Sequence, residues 1–333
     1  MTPQIATERI IKTQSQNHIC KNIRTAVILF VLLLSQLNAI GQDTLTAHKK
    51  LPFLEPSPVY LKSRAQLAGY TTLGLYALTS VGLYHLWYSN YDLMGFHYFN
   101  DDGEWLQMDK AGHTFSAYIA GRAGYNVCRW TGLDEKRSAL IGGNLGWVFL
   151  ATVEVMDGFS RGWGFSAGDM IANTTGSALF ISQQLLWHEQ RVELKFSFHQ
   201  SKYAHYRPDL LGSDFKEQFF KDYNGQTLWL SANLHSFLKK ESRFPAFLNL
   251  AFGYGADGMT GAFSNATNYQ GNIIPEFTRC RQFYLAPDID LTKIKTNSRV
   301  LKFIFEATRY IKFPLPALEY NSKNQWVFHP LYF

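Results

Sequence analysis

"RVELKFSF", residues 191–198, decides the fold. Val192, Leu194, Phe196 and Phe198 alternate with Glu193, Lys195 and Ser197, the period of two that a strand requires. Upstream of Arg191 apolar residues recur at helical spacing; downstream they recur at strand spacing. The chain therefore reads as α+β: an N-terminal four-helix, membrane-associated bundle over 64–190, then a β-rich module over 191–333, either an antiparallel sheet or a small partial barrel.

The alternation returns at Leu228–Leu234, Leu248–Tyr254 and Phe283–Leu291, and more weakly at Phe313–Tyr320 and Gln325–Phe333. "RVLKFIFEATRYI", from Arg299, reads as a helix among these strands, while "YNGQT" at Tyr223 and "KKESRFP" at Lys239 read as turns. Six strands fall short of the eight that a closed bacterial barrel needs, although the chain ends in the aromatic Phe333, which suits a last barrel strand. Pro314 and Pro316 fit a central strand badly. A half-buried sheet packed on the helices is the first reading, a membrane barrel the second.

Four helical segments precede Arg191. Ala65–Tyr88 carries no Asp, Glu, Lys or Arg and is long enough to cross a bilayer, but its Thr, Ser and Gly suit a buried bundle helix equally. The others are expected at Asp109–Trp130, Glu135–Met156 and Ser166–His188. Glycine costs helix stability in water, so Gly142, Gly143, Gly146, Gly168 and Gly176 point to close backbone packing.

The composition is that of an envelope protein. Of 333 residues, 17% are charged and 16% aromatic, against a usual charged share of about 25%. Residues 1–41 read as an export signal: Lys21 and Arg24 precede the apolar "TAVILFVLLL", and Ala39-Ile40-Gly41 offers a cleavage point before Gln42. A retained N-terminal anchor is the alternative. Residues 42–63 form an extended lead-in containing "LPFLEPSPVYL". Cys20 lies upstream of the apolar run and is not placed for lipid modification. Cys128 and Cys280 could form one bridge in an oxidising compartment or remain buried thiols. The net charge of +6 falls to +3 once four Lys/Arg and one Glu leave with the signal, and no basic stripe suits nucleic acid. The expected partner is membrane lipid or another envelope component; protein partners and cofactors stay open.

Three helix ends collect polar residues. Asp109, Lys110 and His113 open the second helix, with Asp109 and His113 one turn apart on one face. Glu154 and Asp157 close the third. Ser166, placed as an N-cap, opens the fourth with Asp169 and Asn173. An up-and-down arrangement would bring these ends to one rim under the loop "GFSRGWGF", with Arg161 in it.

The blocks "DKAGH", "EVMD" and "GWGFSAGDMIANTTG", in this order, resemble the YfiM-like family of predicted periplasmic lipoproteins, a domain of unknown function. More distantly they resemble the VanZ-like membrane proteins, which share the D-K-x-x-H start and the S-x-x-D-x-x-x-N-x-x-G helix. The likeness covers about residues 105–187 and maps onto Asp109, Lys110, His113, Glu154, Asp157, Ser166, Asp169, Asn173 and Gly176. It implies an envelope setting and a site, but no reaction.

Three chemistries suit the rim. As a catalytic centre, Asp109, His113, Glu154, Asp157 and Asp169 would supply acid and base, His113 oriented by Asp109, and Lys110 or Arg161 would meet a lipid phosphate. As a metal site, the carboxylates and one histidine suit a hard cation or zinc. As a buried network, the same groups would fix helix register.

Overall fold

A computed structural model describes residues 55–86, 88, 91–239 and 241–333. The export signal and the lead-in up to residue 54 lie outside the described residues. The chain divides into two compact units: residues up to 100 together with 116–185, and residues 101–115 together with 186–333.

The helices are α1 (Lys62–Leu86), α2 (Met108–Thr131, whose first turns to Phe115 group with the second unit), α3 (Glu135–Gly142), α4 (Leu145–Asp157) and α5 (Ala167–Trp187). The segment expected as one helix over 135–156 is thus two, joined at Gly143-Asn144. The described residues accordingly give five helices where four were expected.

The reason is contact. A Cβ on Gly124 would lie 2.3 Å from the Gly142 carbonyl oxygen, and one on Gly121 would lie 2.5 Å from that of Gly143. Backbone meets backbone there, and only glycine on both sides permits it. Tyr76, Cys128 and Leu133, with Leu73, Val148 and Phe149 against them, form one buried cluster, and Phe180 packs between Tyr118 and Tyr125 in another place. Tyr76 also donates to Thr152 Oγ1 at 2.8 Å.

The polarity of this unit is unusual. α5 buries Asp169, Asn173, Ser177, Gln183 and Gln184 while Ile171 is exposed, and α1 exposes Leu67, Tyr70, Leu75, Leu78 and Val81. A water-soluble helix does the opposite.

The second unit is a six-stranded antiparallel sheet in the order β1-β2-β3-β6-β7-β8. Its strands are β1 (Val192–Phe198), β2 (Gln226–Asn233), β3 (Leu248–Asp257), β6 (Cys280–Ile289), β7 (Leu315–Asn321) and β8 (Trp326–Tyr332). All six expected strands are present. A two-residue hairpin, β4 (Asn268–Tyr269) with β5 (Asn272–Ile273), is additional. Helices α6 (Pro208–Leu211) and α7 (Phe215–Lys221) lie between β1 and β2, and α8 (Arg299–Ala307) between β6 and β7. The free edge of β1 is met by the segment entering β7: Phe196 N–H donates to Tyr310 O at 2.8 Å, and Lys312 N–H to Phe196 O at 2.9 Å. Pro316 is tolerated at a register shift between β7 and β8. The second run stops at Asn233, whose side chain accepts from Ser236 N–H and starts a 3-10 turn, so Leu234 is not strand.

Register exposes the design of the sheet. Leu230, Phe252, Leu285, Leu318 and Phe328 lie directly opposite one another across five strands. Phe252 is 53% exposed and Phe328 65%. Tyr254, Phe283, Tyr320 and Trp326 make the next row. The other face buries Lys195, Ser231, Asn249, Asp288 and Glu319. The inner face thus buries charges together with the cluster of Trp229, Tyr284 and Tyr332, while the opposite row leaves large apolar side chains exposed, which a soluble half-buried sheet does not do.

At the centre, Lys195 Nζ lies 2.6 Å from Asp288 Oδ2 and Lys312 Nζ 3.9 Å from Asp288 Oδ1. Ser231 donates to Asp288 at 2.6 Å. Trp229 packs below Lys312, 5.0 Å from ring centroid to Nζ. Its ring also needs Gly253, where a Cβ would sit 2.7 Å away. Both Cys128 and Cys280 are free and buried, so the bridge is not formed and the thiols serve as small apolar groups.

Two outcomes follow. Gly124→Ala should destabilise by about 1–3 kcal/mol through overpacking. Gly74→Ala, with nothing within 4 Å of its added Cβ, should be neutral or stabilise by up to ~1 kcal/mol. Thermal melts of the two variants in one detergent check this. Burial and the nearby Lys195 charge bring Lys312 down to about 8 against the pull of Asp288. With a folded value below the unfolded one, the unfolded chain binds more protons between about pH 8 and the ordinary lysine range. Wild-type stability should rise across that window, and Lys312→Met should lack this rise.

Candidate functional site

A left-handed turn precedes α2. Trp105, Leu106 and Gln107 have φ of 47°, 51° and 66°, a region that costs a non-glycine residue on the order of 1 kcal/mol or more. Side chains and backbone of the second unit hold it. Trp105 N–H donates to Ala262 O at 2.8 Å, Tyr254 Oη donates to Leu106 O, and Arg281 Nη2 donates to Gln107 Oε1 at 2.7 Å. Burial pushes the Tyr254 hydroxyl up, so it stays a donor. Met108 follows, fully buried against Leu228, Ala256 and Met259.

This turn aims the start of α2. Asp109 Oδ1 accepts from Tyr223 Oη at 2.9 Å and lies 3.9 Å from His113 Nε2. Lys110 Nζ stands 2.7 Å from Asp101 and 3.4 Å from Asp109. Their side chains keep 14–23% of their surface, enough for a ligand atom to reach them. Sequence reading found Asp109, Lys110 and His113 but missed Asp101 and Tyr223. Tyr223 begins the "YNGQT" stretch read as a turn, and only tertiary structure gives it a role.

The remaining candidates lie in the helical unit. Glu154 is buried in the last turn of α4 and accepts from Ser166 N–H at 3.3 Å. Ser166 Oγ accepts from Asp169 N–H at 3.0 Å, the N-cap expected of it. Asp169, Asn173 and Gly176 follow along the buried face of α5. Asp157, three residues after Glu154, instead accepts from Tyr88 Oη at 2.6 Å. Arg161 is exposed and pairs with Asp92 at 3.5 Å, so it is a surface residue in this structure.

The loop "GFSRGWGF" is strapped down by aromatic contacts in addition to the Arg161–Asp92 pair. Phe96 packs on Phe159 and Phe165, and Tyr91 on Trp163 at 4.5 Å. His97 adds ring hydrogen bonds with Trp163 O and Gly158 O.

Glu154 and Ser166 thus accept from backbone N–H groups at the start of α5, a job that satisfies orphan backbone donors, and Asp169 enters it only through its own N–H. Asp109 and His113 do something different. They provide a carboxylate beside an imidazole, with a phenol donating to that carboxylate. Such a pair can accept a proton from a bound hydroxyl or present the oxygen and nitrogen donors that a cation takes.

Nothing among curated proteins or solved structures matches the chain. Residues 96–184, about a quarter of the chain, match the family model described as a predicted periplasmic lipoprotein (DUF2279). The matched stretch holds all nine residues of the three sequence blocks and supports an exported, periplasmic location among uncharacterised proteins of that description.

Proposed function

We propose that this is a bilayer-seated envelope protein that receives envelope lipid or glycan material at the Asp109–His113 end of α2. The observation that carries the seat is the uncharged row Leu230–Phe252–Leu285–Leu318–Phe328, exposed on the outer face of a sheet whose inner face buries charges beside an aromatic cluster. At ~4.8 Å per strand the row is roughly 20 Å wide. Isolated exposed leucines mean little. A continuous row opposite buried charges calls for an apolar medium outside. The helices agree. Glu135–Asp157, taken through its kink, has the length and hydropathy of a membrane crossing, and only 28% of its most apolar window is buried. The block likeness to YfiM-like and VanZ-like proteins supports the same setting.

The site reading rests on the strained turn. Strain of this kind persists where the surroundings over-determine it, and it gathers at working sites. Here it fixes Asp109 beside His113, with Lys110 as counter-charge for a phosphate. The second reading, a structural network, is favoured for Glu154 and Ser166 by their capping bonds.

Placing a lysine on the outer row separates lipid from water. On a water-exposed surface Phe252→Lys or Leu285→Lys should change stability by no more than about 0.5 kcal/mol. Facing hydrocarbon, each should cost about 2–4 kcal/mol. Carbonate-washed membranes should retain the wild type and lose both variants. A wild type released by carbonate, or variants retained and equally stable, would refute the seat.

For the site, a short-chain phosphatidic acid should raise the melting temperature of the wild type by a few degrees at saturation. His113→Ala and Asp109→Asn should abolish that rise. Ser166→Ala should keep it while lowering the baseline by about 1 kcal/mol for the lost cap. A rise that survives in both Asp109 and His113 variants would remove them from the site.

A further inference from the structure

We infer that α8, with the basic stretch that leads into it, is an anchor for an anionic lipid surface. This rests on the bilayer seat proposed above but names a lipid chemistry which that seat does not require. Residues 291–305, "LTKIKTNSRVLKFIF", contain four cations, Lys293, Lys295, Arg299 and Lys302, and no acidic residue. Ser298 caps the helix, accepting from Leu301 N–H at 3.3 Å.

At 100° per residue, Arg299, Lys302 and Glu306 share one face, and Val300, Leu301 and Ile304 the opposite one. The only acid on the helix, Glu306, is engaged by Arg309, so the positive charge at its start stands. The apolar side is uncovered: Val300 is 67% exposed, and Leu301 and Ile304 are exposed as well, while the exposed Phe303 lies nearer the cationic face. Such a side would be a fault in water, yet it is followed by an ordered segment in which Lys312 N–H bonds to β1.

The two halves of the pattern select the occupant. An acidic protein would use the cations but leave Val300 and Ile304 bare, and a neutral apolar partner would strand the cations. An anionic bilayer surface meets both, with side chains in the acyl boundary and cations among headgroups. Topology agrees. β6 runs from the row of Phe283 to Pro287 and Ile289, then enters α8, and β7 returns from α8 to Tyr320. The helix is therefore inserted at the end of the exposed sheet face opposite the aromatic row of Tyr320 and Trp326. Aromatic residues at one border and cations at the other are an interfacial arrangement.

The test uses the full chain carrying Cys20→Ser and Ile304→Cys, labelled with an environment-sensitive fluorophore; Cys128 and Cys280 are buried. Vesicles of pure phosphatidylcholine and of a seven-to-three phosphatidylcholine–phosphatidylglycerol mixture are compared. The emission should shift to the blue on the anionic vesicles and reverse in high salt. Combining Lys295→Gln, Arg299→Gln and Lys302→Gln should weaken that response by roughly tenfold to hundredfold. An equal shift on neutral vesicles overturns the anionic commitment. A shift that grows with protein concentration in the absence of vesicles assigns the face to a second copy and overturns it too. Flotation of the same samples on neutral vesicles reports the bilayer seat separately, so failure of one reading is not failure of the other.

Discussion

Asp288 is the pivot of the β unit. Its carboxylate is fully buried and faces Lys195 at 2.6 Å and Lys312 at 3.9 Å, with the Ser231 hydroxyl on it. Buried ions are tolerated only when paired and hydrogen-bonded. Removing Asp288 would strand two lysines, whereas replacing the whole group with apolar residues would not carry that penalty. The network therefore specifies more than it stabilises. Lys195 ties β1 to β6, and Lys312 ties the segment entering β7 to the same carboxylate, so the curl of the sheet and the cover on the edge of β1 follow from one group. Once the charges share the inside with Trp229, Tyr284 and Tyr332, alternation along each strand puts Leu230, Phe252, Leu285, Leu318 and Phe328 on the other face.

The helical unit reaches the same polarity by another route. Beside the buried rings of Tyr76, Tyr118 and Phe180, close contact between backbones holds the helices together, and Gly121, Gly124, Gly142 and Gly143 provide it. That solution suits a medium in which burying apolar side chains gains little, because the surroundings are apolar already. The polar groups of α5 are then the ones needing shelter, and the unit shelters them. Two kinds of secondary structure, one periodic at 3.6 and one at 2, thus present the same inverted surface.

Periodicity made most of the elements legible. The change of period at Arg191 marks the first strand, and all six strand runs were visible as alternation. What alternation cannot tell is which side faces inward: Leu230 and Ser231 alternate identically in a soluble sheet and in an inverted one. Pair energies such as Lys195–Asp288, 93 residues apart in sequence, decide it. The kink at Gly143-Asn144 was hidden because the apolar pattern runs through it unbroken, and only the close approach of Gly124 demands the break. At the candidate site, short spacing found Asp109 and His113, which one helical turn brings together. Tyr223 and Asp101 were out of reach of any local rule. The Ser166 cap was legible because capping is local chemistry, but the exposure of Arg161 was not, since a loop residue carries no mark of the side on which it lies.

The two polar groups differ in how they are held, and that difference separates their roles. Glu154 and Ser166 are buried and accept from backbone amides, so each has a task that the fold itself needs. Asp109 is held from outside its helix, by a tyrosine 114 residues away and by a turn of three left-handed residues. A fold that needed only to begin a helix would place a glycine or an asparagine in such a turn. Trp105, Leu106 and Gln107 instead bring side chains that touch Tyr223, the sheet and Arg281. The backbone cost is accepted so that side-chain contacts can fix the direction in which Asp109 and His113 open. Pre-orientation of an acid–base pair is of little use to stability and of direct use to a ligand.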